Sequence, residues 1–414
     1  HAGSCRAPWH LHLRIPAGVG ALSARRIYMV AAEASGDVLA REVVEEIRKK
    51  DPDVHISGIG GDELASAGII SPIDVSPLSV LGFFEGIKAY GHVVKLADAA
   101  ANAIISDRPD VVVLVDSWGF MLRVAQRVRL RDPSIRLVKL VGPQVWATRP
   151  GRAKTLASVV DHLLCIHDME VPFYEPYNLA TTVIGNPAIS RHVEGDGARF
   201  RGLNDIFETE RMVLVLPGSR SSEIKRVAPA LVEAAHILYK KDRSLRVVFA
   251  PAKNVAEQFA EAFPDIEDWA LLTSQAADRY DAMAAADLAL ACSGTVTTEL
   301  AMQGTPMIVS YQTGWITWAL ARGLLYKRKH ITLLNIVSDD QEIVPEFVQT
   351  KQKPELIADK AWAWLSNPTA LPQQKVDQSI ALDRMNEGDR DAAEIAASVV
   401  LEEAAKHTAG LIAS

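Results

Sequence analysis

Short, unbroken apolar runs separated by stretches of helical spacing set the rhythm of this chain. Residues 27–32 form the first run and end in Glu33-Ala34-Ser35-Gly36-Asp37, after which a helix-spaced pattern continues to Lys50. Residues 54–58, 111–115, 137–141, 163–166 and 182–184 repeat the theme, and 111–115 is almost all valine, ending at Asp116. A polar stretch over 194–210 interrupts, and the alternation restarts at 212–216, 246–250, 288–291 and 307–311. Runs that are apolar at every position belong to strands buried on both faces, hence to parallel sheets covered by helices. The pattern predicts an α/β chain of two doubly wound, Rossmann-like domains, residues 27–205 and 206–375. An Ala-rich helical tail, 376–414, follows.

Residues 1–26 lack this rhythm. They carry Arg6, Arg14, Arg25 and Arg26, no acid, and an apolar stretch broken by Arg14 and Pro16. That is too short for a secretory signal, which needs about 7–15 apolar residues, and it predicts a leader or a disordered extension.

Composition narrows the function classes. The 414 residues hold 44 Lys+Arg against 51 Asp+Glu, a formal charge of -7, which argues against nucleic acid as a partner. Cys5, Cys165 and Cys292 are far apart and form no CxxC pair, so neither a disulfide framework nor a structural zinc site organises the chain. The Asp51/Asp53 and Asp389/Asp391 pairs sit in charged, turn-like surroundings, and no metal site is expected. No apolar run is long enough to span a membrane. The mean hydropathy of +0.07 is nonetheless high for a chain of this kind.

Open parallel sheets bind ligands at the carboxyl ends of their strands, and the candidate chemistry collects there. Leu216-Pro217-Gly218-Ser219-Arg220 offers small residues, a hydroxyl and a guanidinium after a buried strand, suited to a phosphate or to an ordinary helix cap. Ser293-Gly294-Thr295 adds hydroxyls and an open backbone at a helix start, and Glu299 on the first turns can take the two hydroxyls of a ribose. No GxxxxGK[ST] motif is present. Asp116 can serve as a general base or cap the following helix, and Glu33, Ser35 and Asp37 form a similar strand-end cluster. Two apolar segments bear on the hydropathy. Val80, Leu81, Phe83, Phe84, Ile87 and Tyr90 follow helical spacing; Trp315 and Trp318 lead toward Lys327-Arg328-Lys329-His330. Aromatic residues beside a basic cluster fit an anionic membrane surface, and core packing is the other reading.

In their order along the chain these residues resemble the bacterial lipid-A-disaccharide synthase family. The resemblance runs through Ala32-Glu33-Ala34-Ser35-Gly36-Asp37, Gly58-Ile59-Gly60-Gly61, Leu81-Gly82-Phe83-Phe84-Glu85, Val145-Trp146-Ala147 and Arg149. It continues through Leu216-Pro217-Gly218-Ser219-Arg220, Ser293-Gly294-Thr295, Thr298-Glu299-Leu300, Gly304-Thr305-Pro306, Asn335 and Glu342-Ile343-Val344-Pro345-Glu346. It implies a GT-B fold whose last helix returns to the first domain, and inverting, metal-independent transfer of 2,3-diacylglucosamine from its UDP derivative to 2,3-diacylglucosamine 1-phosphate. The donor is a substrate, and no cofactor is implied. Carried over residue by residue, the resemblance implies diphosphate and nucleotide contacts from Ser219, Arg220, Ser293, Gly294, Thr295, Glu299 and Asn335. It implies Asp116 as base, assisted by Arg220, and an acceptor side of Glu33, Ser35, Asp37 and Arg149. Val80, Leu81, Phe83, Phe84 and Ile87, with Trp315, Trp318, Lys327, Arg328 and Lys329, become an acyl-chain and membrane patch. The implied setting is the cytoplasmic face of the inner membrane, and a homodimer is compatible with it. The chain departs from the family pattern at Trp118-Gly119-Phe120-Met121, Gly142-Pro143-Gln144, Thr148 and Asn186. Another UDP-sugar transferase, a UDP-sugar epimerase and a non-catalytic UDP-sugar-binding paralogue are the other readings.

Overall fold

The computed structural model describes residues 24–76, 90–273, 278–314, 328–386 and 390–413. The predicted alternation becomes two six-stranded sheets in which every pairing is parallel. The first holds β1 (Arg26–Val30), β2 (His55–Ile59), β3 (Val111–Val115), β4 (Arg136–Leu140), β5 (His162–Cys165) and β6 (Ala180–Val183) in the order β2-β1-β3-β4-β5-β6. The second holds β7 (Met212–Leu216), β8 (Arg246–Phe249), β9 (Leu271–Leu272), β10 (Leu288–Cys292), β11 (Met307–Tyr311) and β12 (Glu346–Val348), ordered β9-β8-β7-β10-β11-β12. β3, β7 and β10 are buried along their whole length, because each sheet is covered on both faces. Alternate side chains of β3 enter two different cores, Val112 and Leu114 one, Val111, Val113 and Val115 the other. The order reverses between β1 and β3 in one sheet and between β7 and β10 in the other, and these switch points are where such sheets open a crevice.

Two segments lie elsewhere than the sequence pattern suggests. The helix Gly197–Leu203, expected with the first lobe, belongs to the second: Phe200 and Ile206 are buried in the core that holds Leu214 and Met283. Arg199 also pairs with Asp281 there. The polar composition of 194–210 hid this, since a few buried apolar residues dock the segment. The expected tail also divides. Ala370–Asp383 packs on the second lobe, where Gln374 accepts from Met307 N–H at 2.8 Å; Ala392–Ala413 returns to the first, burying Ala396, Ala397 and Val400 against the Ala34–Lys50 helix.

Glu403 anchors that returning helix. Its carboxylate, 1% exposed, accepts from Arg136 at 2.5 and 2.8 Å, His162 at 3.1 Å and Lys406 at 2.6 Å. Burial by itself raises the pKa of such a group; the bonds from His162, Lys406 and Arg136 outweigh it and hold Glu403 at about 2. Its folded pKa lies below the unfolded value of 4.5. It therefore contributes stability above pH 4.5 that is lost as pH falls toward 2. Glu403→Gln is expected to cost about 3 kcal/mol at neutral pH and to flatten the acid limb of stability. Urea unfolding at pH 7 and pH 3.5 checks this, and a wild-type pH dependence in the variant would contradict it.

Candidate active site

The second lobe places a turn suited to an anion at its switch point. Gly218 follows β7 with φ +130, a conformation closed to L side chains, and a Cβ there would come within 2.6 Å of Glu223 Cβ. Glu223 is buried and accepts from the N–H groups of Ser219 (2.8 Å) and Arg220 (3.2 Å), opening the helix Ser221–Arg226. It also tethers the Arg220 guanidinium at 3.2 Å, while 76% of the Arg220 side chain remains exposed to receive a ligand. The adjacent strand β10 ends at Cys292-Ser293-Gly294-Thr295, and the helix Val296–Met302 follows. Both turns line one cavity of about 180 Å³, with Arg220 and Arg279 as its cations. Gly294 faces open space, so its backbone is accessible. The Cys292 thiol at the cavity wall is held protonated, its pKa pushed up by burial.

A larger cavity, about 690 Å³, lies between the lobes. Ser293, Gly294, Thr295 and Glu299 form its second-lobe wall; Asp116, Trp118, Lys139, Arg152, His167 and Glu170 face them from the first. The shared Ser293–Thr295 turn joins this space to the smaller cavity. Arg279 holds Glu299 at 2.5 Å.

Asp116 and Ser117 both have left-handed backbones, φ 48 and φ 38, and so does Val141 across from them at φ 65. For a β-branched valine this is strained. Lys139 lies beneath all three. Its ammonium donates to the carbonyls of Asp116 (2.6 Å), Val141 (2.8 Å), Leu114 and Leu140 (both 3.1 Å). Desolvation lowers its pKa to about 7 against the opposing fields of Asp116 and Glu33. The Asp116 carboxylate accepts no hydrogen bond among the described residues and does not cap the following helix. It stands open to the cavity. Nearby, burial raises Glu170 to about 7 although its carboxylate accepts from His167 and Ile166 N–H, and lowers His167 to about 4, leaving that ring neutral.

Several expected contacts fall elsewhere. Asn335 is fully buried and engaged: it donates to Val344 O (2.8 Å) and Glu346 Oε1 (2.9 Å) and accepts from Val344 N–H (2.8 Å). It lines neither cavity. Together Asn335 and Glu346 shape the loop whose Ile331, Thr332 and Leu333 line the large cavity. Asp37 is buried, accepting from Gly61 N–H at 3.0 Å and Glu63 N–H at 2.9 Å at the start of the helix Asp62–Ser66, and it lies outside the inter-lobe cavity. Glu33 and Ser35 are exposed, and Glu33 lines a separate cavity of about 670 Å³. Arg149 is exposed with φ 50 and stands outside the cavity wall; Arg152 occupies it instead. Arg328 is not a surface cation for a membrane, since it donates to Trp146 O (3.4 Å) and Asp340 (3.3 Å) and so ties the lobes together. Lys329 is exposed. Val80, Leu81, Phe83, Phe84, Ile87, Trp315, Trp318 and Lys327 lie outside the described residues.

Lys139, Arg152, His167, Glu170 and Arg279 escaped the motif reading. A lysine inside the apolar run of β4 was the one available signal, because a charge at a fully buried position needs partners. None of the described helices is long and apolar enough to cross a membrane.

Comparison with known proteins bears on the family and the fold. A family model described as lipid-A-disaccharide synthetase matches residues 27–400. The chain is 35% identical to the lipid-A-disaccharide synthase of Ruegeria pomeroyi over 388 residues, covering 91% of this chain and 95% of the relative. It is 33% identical to that of Rickettsia prowazekii over 382 residues, covering 92% and 99%. Among solved structures, Acinetobacter baumannii MurG superposes with a TM-score of 0.58 at 14% identity, covering 91% of this chain and 99% of that one. The UDP-GlcNAc 2-epimerase of Neisseria meningitidis bound to UDP-GlcNAc superposes with a TM-score of 0.55 at 12% identity, covering 92% and 100%. Those two likenesses concern the GT-B-like fold. Sequence and architecture together place this chain in the lipid-A-disaccharide synthase family, the glycosyltransferases of lipid A biosynthesis.

Proposed function

We propose that the enzyme moves 2,3-diacylglucosamine from its UDP derivative to the 6-hydroxyl of 2,3-diacylglucosamine 1-phosphate, giving a β-1,6-linked disaccharide and UDP. The observation that carries this reading is the single cavity with an open carboxylate, Asp116, on one wall and the Ser293-Gly294-Thr295 turn on the other. The donor's diphosphate takes Arg220 and the amides of 293–295, and Glu299, held by Arg279, takes the ribose hydroxyls. As the glycosidic bond lengthens, negative charge grows on the leaving phosphate, and these preorganised donors stabilise it. Asp116 accepts the proton of the acceptor hydroxyl while that oxygen attacks the anomeric carbon from the face opposite UDP, inverting it. Acyl chains contribute about 0.8 kcal/mol per buried CH₂, so the enzyme works against the cytoplasmic face of the membrane, with Val80, Leu81, Phe83, Phe84, Ile87, Trp315, Trp318, Lys327 and Lys329 as its contact.

Incubation with both diacylated substrates is the test. UDP and the disaccharide are expected in equal amounts. Conversion of the donor to an epimer, or UDP binding with neither product formed, would reject the reading.

A further inference from the structure

The geometry points to a phosphomonoester subsite made by Arg152 on the cavity wall, with the charge of Arg149 close behind it. The assignment deepens the proposed function, on which it rests, by naming the group that reads the acceptor's anomeric phosphate.

Several part-buried arginines among the described residues have carboxylate partners: Arg129 with Asp161, Arg136 with Glu403, Arg201 with Asp287. Arg152 has none among the described residues. Its guanidinium instead stacks on Trp118, 5.2 Å from the ring centroid. Burial, and then the nearby Arg149 charge, both disfavour the cation. Two like charges side by side without an anion are an arrangement that an incoming dianion relieves. The guanidinium fork matches phosphate geometry in a way an ammonium does not.

Position agrees with chemistry. Trp118 lies two residues beyond Asp116 on the same wall, with Arg152 over its ring. In a pyranose acceptor the 6-hydroxyl and the anomeric phosphate stand at opposite ends of one ring. A wall offering a carboxylate, then an indole, then a guanidinium matches that sequence of groups. Asp116 and Glu299 line the same cavity, and their negative charge disfavours a phosphate beside them. The donor's diphosphate has its own cation, Arg220, on the opposite lobe.

The experiment compares the full-length enzyme with Arg152→Gln and Arg149→Gln, using the acceptor with and without its 1-phosphate at saturating donor. Arg152→Gln is expected to raise KM for the phosphorylated acceptor about thirtyfold, to leave the dephosphorylated acceptor unaffected, and to preserve UDP affinity. Arg149→Gln does the same more weakly. Equal losses on both acceptors, or none on either, would overturn the subsite. A second arm is independent of turnover: ³¹P line broadening of glucosamine 1-phosphate by enzyme whose donor site is filled with UDP. Broadening that vanishes in Arg152→Gln supports the subsite even if no disaccharide forms, which would reject only the proposed reaction. Broadening that persists in the variant, or that is absent from wild type, rejects the subsite.

Discussion

Asp116→Asn is expected to lower kcat about a thousandfold while UDP binds as in wild type. The substitution is clean because what fixes this residue is backbone. Its N–H donates to Leu140 O at 2.8 Å, and its carbonyl accepts from Lys139 at 2.6 Å. Both bonds survive in the variant. Asparagine also tolerates the left-handed φ of 48 better than most residues. The amide keeps the shape of the carboxylate and loses its basicity, so the attacking hydroxyl must shed its proton to water. The proposed nucleotide contacts are on the opposite lobe, which is why affinity and turnover should separate. Single-turnover rates together with calorimetric UDP titration measure the split. Unchanged turnover would remove Asp116 from the base role.

The central strands of both sheets were legible because a doubly buried strand has an unmistakable apolar run; β3 and β7 coincide with the valine- and leucine-rich segments. β9 and β12 were not, since two or three half-buried residues carry no pattern. The turn at Gly218 and the Ser293–Thr295 turn were readable for the same reason: their chemistry is local backbone geometry after a strand. The first-lobe wall was harder. Arg152 and Glu170 come from a helix start and a 3₁₀ turn that converge only in three dimensions. Asn335 shows the converse. A motif match marked it as a ligand contact, whereas its three hydrogen bonds with Val344 and Glu346 make it an organiser of a cavity loop. Motifs report that a residue matters to the site. Contacts decide how.

Lys139→Met is expected to lower kcat about a hundredfold with little net change in the stability of the fold. Two effects compete at this position. Four carbonyl contacts favour the ammonium, but complete burial disfavours its charge enough to bring its pKa to about 7. Removing the buried charge recovers its desolvation cost, but it leaves the carbonyls of Asp116 and Val141 without this donor, at about 1–3 kcal/mol each. For stability the two effects offset one another. For catalysis the contacts win, because the ammonium gathers the carbonyls of Asp116 and Val141 and thereby maintains the left-handed turns that aim the Asp116 carboxylate. Without it those turns relax, and a displacement of about 1 Å is enough to account for the predicted loss. The pH dependence supplies a second check. The folded pKa lies below the unfolded value of 10.5, so the native state binds fewer protons between pH 7 and 10.5. Wild-type stability should consequently rise over that interval relative to the variant, with no difference in slope below pH 7. Denaturant unfolding across pH 6–10, paired with kcat at each pH where both proteins are folded, measures both. A variant that unfolds more readily, with activity falling in proportion, would reduce Lys139 to a structural residue.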